Sequence, residues 1–173
     1  MKIILLTTIS IGVINFRKKL IEKMMAGGDE IYVVCGDNLL EHKIRNIGCK
    51  FYCIPMENRS MNIVSLGRYT RELSCLIEKI NPDIVFSFQL KPNTFGVLAA
   101  KKARAKNIYS MVEGAGDVFI NNTLKWKLVR FIVCQLYKKA FRNVRKVFFL
   151  NEDDKREFTD RGLVQSGQCE SIH

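Results

Sequence analysis

The stretch that most constrains this chain runs from Asn81 to Phe119, NPDIVFSFQLKPNTFGVLAAKKARAKNIYSMVEGAGDVF. Residues 84–88 are β-branched or aromatic apart from Ser87 and follow the helix-stopping Asn81-Pro82-Asp83, which predicts a strand. Asn107 to Val112 repeats the pattern after a helical segment. Two strands joined by one helix lie parallel, and in an open parallel sheet the ligand sits outside the carboxyl ends of the strands. The loops Gln89 to Asn93 and Glu113 to Asp117 are therefore where function is expected.

The flanking chain continues the alternation. Lys2 to Thr8 reads as the first strand, Thr8 to Gly12 as a loop, and Val13 to Met25 as a helix stopped by Gly27-Gly28. Ile31 to Cys35 and Cys49 to Ile54 read as strands, with a short helix from Leu39 to Ile47 between them. Ile63 to Ile80 and Asn122 to Arg142 carry helical apolar periods; Val147 to Leu150 is a sixth strand, and Asn151-Glu152-Asp153-Asp154 starts a last helix. The fold class expected is α/β: a single Rossmann-like parallel sheet sandwiched by helices. Its 173 residues suit one domain, assigned to residues 1–164, with 165–173 as a loose tail.

Charge divides the chain unevenly. Of the formal net charge of +11, most lies between Lys101 and Lys146, where twelve Lys and Arg face only Glu113 and Asp117. Such a half suits an anionic partner: a membrane surface, a pyrophosphate or nucleic acid; a solvated basic face is the plainer account. No nucleic-acid reading motif accompanies it, so nucleic acid ranks last. The six cysteines form no CxxC pair and sit mostly in apolar runs, as in a reduced, cytoplasmic protein. His42 and His173 stand apart from paired ligands, so neither a metal nor a cofactor is expected. No apolar run reaches the roughly 20 residues that span a bilayer, so membrane contact would be peripheral.

Several segments, in one order, resemble the amino-terminal half of a family-four retaining glycosyltransferase of the GT-B fold, of the branch found in bacterial capsule, lipopolysaccharide and exopolysaccharide synthesis. They are INFRKKLIEKM, IPMENRSMNIVS, NPDIVFSFQLKPNTFGVLAA, VEGAGDVF and VFFLNEDDKREF. The resemblance implies an acceptor-binding half, inactive without the donor-binding domain that carries a pair of glutamates. It also implies a polyprenyl-diphosphate-linked sugar acceptor and a place at the inner face of the plasma membrane. The alternative is a non-catalytic membrane recruitment subunit for a separate donor-binding chain. Ala115 departs from the bulkier apolar residue usual between the two glycines.

Chemistry is assigned to the strand-tip loops. Glu113 could accept an acceptor hydroxyl proton or simply hydrogen-bond a sugar, and retaining transfer does not require an enzymic base. Gly12 would let backbone amides approach a phosphate, although an ordinary strand-to-helix turn accounts for it equally. Lys91 suits a phosphate or sugar hydroxyls; Asn93 suits helix capping more than a hydroxyl. Gly114, Gly116 and Asp117 complete the loop, and Arg59 is either a diphosphate ligand or a solvated charge. The basic helix with Trp126, Lys125, Lys127 and Arg130 either meets lipid headgroups or packs on the sheet or on a missing domain.

Overall fold

The computed structural model describes residues 1–56, 63–114, 117–121 and 123–172. Its strands are β1 (Lys2–Thr7), β2 (Glu30–Cys35), β3 (Lys50–Cys53), β4 (Ile84–Phe88), β5 (Ile108–Val112), β6 (Lys146–Phe149) and β7 (Cys169–Ser171). They form one sheet in the order β3-β2-β1-β4-β5-β6-β7, and every pairing is parallel. β1 and β2 are apolar without alternation because both of their faces are covered. Ile4 and Leu6 of β1 join Tyr32, Val34 and Val85 on one face, while Ile3 and Leu5 join Ile31, Val33 and Cys35 on the other.

The first face is closed by the helices Ile63–Ile80, Val97–Lys102, Leu124–Phe141 and Glu152–Asp160, which contribute among others Leu73, Ala99, Tyr137 and Phe158. Phe158 is fully buried against Phe149, Phe141, Tyr137 and Phe119, with ring centroids 5.0 to 6.3 Å apart. The second face is closed over β1 to β3 by Val13, Ile21 and Ile44 from two helical segments. Over β4 to β6, Phe86, Tyr109, Met111 and Phe148 are half-buried and the three rings pack on one another.

Three details differ from the sequence reading. The first helix begins at Ser10, runs through a π-helical turn at Val13–Arg17 and continues as Lys18–Ala26, so Ser10 to Gly12, the last three residues of the expected Thr8 to Gly12 loop, are helical. A short helix, Asp117–Ile120, occupies part of the expected loop after β5. The tail is not loose: β7 pairs with β6, Ile172 N–H donates to Phe149 O, and Gln168 Nε2 donates to Phe141 O at 3.1 Å and Val144 O at 2.6 Å. A three-residue edge strand is too short to show a period, which is why the sequence pattern does not reveal it.

Gln168 therefore holds the last strand against the end of the long basic helix. Gln168→Ala should lower the unfolding free energy by about 1–3 kcal/mol, because two hydrogen bonds to main-chain carbonyls disappear. Urea titration of the two proteins measures this; unchanged stability would mean that the tail is not integrated.

Candidate functional site

Strand order reverses between β1 and β4, so the crevice outside their carboxyl ends is the expected ligand position. Polar side chains from different elements tie the strand tips together there. Asp37, just past β2, accepts hydrogen bonds from Ser10 N at 3.0 Å, from Ser10 Oγ, and from Leu39 N at 3.0 Å. Gln89, just past β4, accepts from Thr8 N at 2.8 Å and from Thr7 Oγ1 at 3.1 Å. Its φ of 72° is a left-handed conformation uncommon for a non-glycine residue and favoured at functional loops. Gly36 is needed for a close approach, since a Cβ there would lie 2.6 Å from Thr8 O.

The third tie is Arg17. Its guanidinium donates from Nη1 to Gly12 O at 2.9 Å and from Nη2 to Glu113 Oε1, and it lies 4.0 Å from the centroid of the Phe88 ring. The arginine is 3% exposed while the Glu113 side chain is 26% exposed. Burial pushes the Arg17 guanidinium below the usual arginine range, and the neighbouring Glu113 carboxylate opposes that shift. The Arg17 Nε is buried and has no hydrogen-bond partner among the described residues. One side chain thus spans from the β1 loop across the end of β4 to the tip of β5.

Sequence reasoning passed over Arg17 as one of three consecutive basic residues, Arg17-Lys18-Lys19. The available signal was spacing. Val13, Arg17 and Ile21 are four apart and all buried, so a charge interrupts the apolar stripe of the first helix. Asp37 and Gln89 lay at the expected strand tips, but their ties to β1 become visible only once the sheet order is known.

The residues chosen from sequence are placed unevenly. Glu113 is at the crevice and followed by the exposed Gly114. Gly12 is buried inside the first helical turn rather than in an open loop, and the leading amide of that helix, Ser10 N, is already occupied by Asp37. Lys91 is 5% exposed and not free, so the expectation of an open cation at the β4 tip is corrected: it is enclosed at the start of the π-helical turn Pro92–Gly96. Asn93 caps no helix. It is fully buried, its Oδ1 accepts from Ser87 Oγ at 2.7 Å, and its Nδ2 donates to Met111 O at 2.8 Å, which joins β4 to β5 just beneath the tips. Asp117 begins the short helix; Arg59 and Gly116 lie outside the described residues.

On the long helix the outward face is not the one expected. Trp126 is half-buried, and Arg130 is turned inward, donating to Val118 O at 2.9 Å and Asn121 O at 2.5 Å. Lys125 and Lys127 are exposed and flank an outward stripe of Leu124, Leu128, Phe131 and Ile132, which are 46 to 85% exposed. Among the described residues no helix is long and apolar enough to cross a membrane, and no three His, Cys, Asp or Glu gather as metal ligands. Burial pushes the Cys35 and Cys49 thiols up, Cys49 to about 11, which keeps them protonated at neutral pH.

Residues 2–151 match the family described as Glycosyl transferase 4-like. The chain belongs to that family. Among curated proteins it is similar to the N,N'-diacetylbacillosaminyl-diphospho-undecaprenol alpha-1,3-N-acetylgalactosaminyltransferase of Campylobacter jejuni, 29% identical over 169 residues, 98% of this chain and 45% of that protein. Solved structures with the same fold include a glycosyltransferase from Rickettsia africae, at 15% identity and a TM-score of 0.68, covering 99% of this chain and 42% of that one. Anabaena HepE in complex with UDP and glucose matches at 14% identity and a TM-score of 0.71, covering 100% and 44%. A UDP-GlcNAc 2-epimerase from Methanocaldococcus jannaschii matches at 13% identity and a TM-score of 0.66, covering 99% and 45%. The chain therefore spans a little under half the length of these relatives, and its fold is the amino-terminal half of a GT-B glycosyltransferase.

The buried polar cluster beneath the crevice gives a direct test. Asn93→Ala removes two buried hydrogen bonds and leaves Met111 O unpaired, so stability should fall by about 2–4 kcal/mol. Chemical denaturation reads the loss, and amide exchange at the tips of β4 and β5 should quicken first.

Proposed function

We propose that this chain is the acceptor-binding half of a glycosyltransferase that transfers a sugar from a nucleotide-sugar to a lipid-linked saccharide in surface polysaccharide synthesis. The observation that carries the reading is the match to the Campylobacter enzyme over 98% of this chain, because that enzyme is named for a diphospho-undecaprenol-linked saccharide. The structure supports it with a crevice at the carboxyl ends of a parallel sheet where Glu113 is partly exposed. A carboxylate there can accept a hydrogen bond from an acceptor hydroxyl, whether or not it takes the proton. Gly114 and Asp117, on either side of the undescribed pair that follows Gly114, border the proposed acceptor site, with Lys91, Asn93 and Gly12 shaping its floor; Gly116 is a further candidate contact and Arg59 a candidate for the diphosphate. On this reading residues 1–164 form the acceptor domain, extended by the last strand, and the nucleotide-sugar is held by a second domain or a separate chain.

The long helix supplies a reason for the chain to work at the inner face of a membrane. Leu124, Leu128, Phe131 and Ile132 offer apolar surface, and Lys125 and Lys127 beside them complement anionic headgroups. An apolar stripe alone would suit a protein partner equally; the flanking lysines favour lipid.

Two measurements test this. A farnesyl-diphosphate-linked N-acetylglucosamine should bind the chain saturably in calorimetry while a nucleotide-sugar alone does not, and absence of acceptor binding overturns the acceptor reading. The chain should float with liposomes containing anionic phospholipid at low salt and be released near 1 M salt, where the screening length is about 3 Å. Replacing Lys125 or Lys127 by Ala should each weaken flotation about five-fold, as expected for about 1 kcal/mol per basic residue. Phe131→Glu should abolish it.

A further inference from the structure

We propose that Arg17 is the positioning residue of the acceptor site: it aims the Glu113 carboxylate and holds it in register with the first helix, without touching ligand itself. The inference rests on the acceptor reading of the Glu113 crevice. Arg17 is 3% exposed, too enclosed to meet a ligand, whereas Glu113 has 26% of its side chain exposed. The planar guanidinium presents its donors in a fixed fork. One arm of that fork is fixed by Gly12 O at 2.9 Å and the plane rests on Phe88, so the arm directed at Glu113 Oε1 has little freedom left.

The consequence falls on the other carboxylate oxygen. With Oε1 engaged by Arg17, and Arg17 the sole side-chain partner of Glu113 among the described residues, Oε2 is the atom available to an acceptor hydroxyl. A freely rotating glutamate at a strand tip would spread that acceptor over several rotamers, and ordering it would cost affinity each time a ligand bound. A lysine at position 17 would keep the charge but not the fork, so it could not serve Gly12 O and Glu113 with the same geometry. A buried arginine carrying an unpartnered Nε is costly to hold in a fold, which argues against its being an incidental packing residue.

The test is a double-mutant cycle on the chain, with calorimetric affinity for farnesyl-diphosphate-linked N-acetylglucosamine and melting temperature measured together. Arg17→Met should weaken affinity about 10- to 100-fold, and Arg17→Lys should melt near the unsubstituted protein yet bind about as poorly as Arg17→Met. Glu113→Gln should weaken affinity similarly and also lower the melting temperature, because it leaves a buried charge with a poorer partner. Arg17→Met added to Glu113→Gln should restore stability and cost no further affinity. Affinity losses that simply add, or an Arg17→Lys protein that binds like the unsubstituted one, would overturn the positioning role. Guanidinium NMR decides it independently of any ligand: the Arg17 Nη1 and Nη2 resonances should be separate and should broaden or merge in Glu113→Gln. Separate resonances persisting in that variant overturn the proposal, whereas absence of acceptor binding with the expected NMR change overturns only the acceptor reading.

Discussion

Everything in this molecule is arranged around a first strand that is hydrogen-bonded on both edges and covered on both faces. β1 pairs with β2 on one side and β4 on the other, and Ile3 to Leu6 are all essentially buried. A strand so enclosed has no room for polar side chains, so polarity is pushed to its end. Thr7, Thr8 and Ser10 follow directly, and these receive Gln89 and Asp37 from the neighbouring strands. The crevice is thus a by-product of the constraint that parallel strands bury their middles and expose their carboxyl ends.

The strand tips are joined by hydrogen bonds rather than by packing, which suits a binding surface. Asp37, Gln89 and Arg17 fix the loops through directed hydrogen bonds that cross between strand ends. Burying a charge to do this is expensive unless the charge is well partnered. Arg17 is met by a carboxylate, a carbonyl and an aromatic face at once. The cost falls on the fold, and the benefit is a carboxylate at a defined place beside the sheet.

What could be read from the sequence follows from the range of the forces involved. The long helices and the strands β1, β2 and β4 were legible because their apolar runs respond to a core that is uniform along their length, and Ile63–Ile80 and Ile84–Phe88 were found to the residue. Glu113 was chosen as the residue following the fifth predicted strand, and it does follow β5. Arg17 escaped because its role depends on a residue 96 positions away, and a three-residue basic run gives no hint of which member turns inward. Lys91 and Asn93 were chosen for their chemistry, yet the tight π-helical turn after β4 draws both inward. Trp126 and Arg130 were assigned to the outer face of their helix on composition. Helical phase puts them on the inner side, with Val133 and Tyr137, and leaves Phe131 outside.

The sheet order has a consequence for how the chain comes into being. Among the strands of this sheet β1 is synthesised first, and β2 can pair with it early, but the partner for its other edge ends at Phe88. At about 5–20 residues per second, the interval between the emergence of β2 and of β4 is about 3–10 s. Throughout that interval a nascent ribbon of isoleucine, leucine and valine presents one unsatisfied edge. Sequence-distant pairing of this kind is slow and prone to wrong partners, so the central strand that gives the finished sheet its rigidity is also where the growing polypeptide is most open to aggregation.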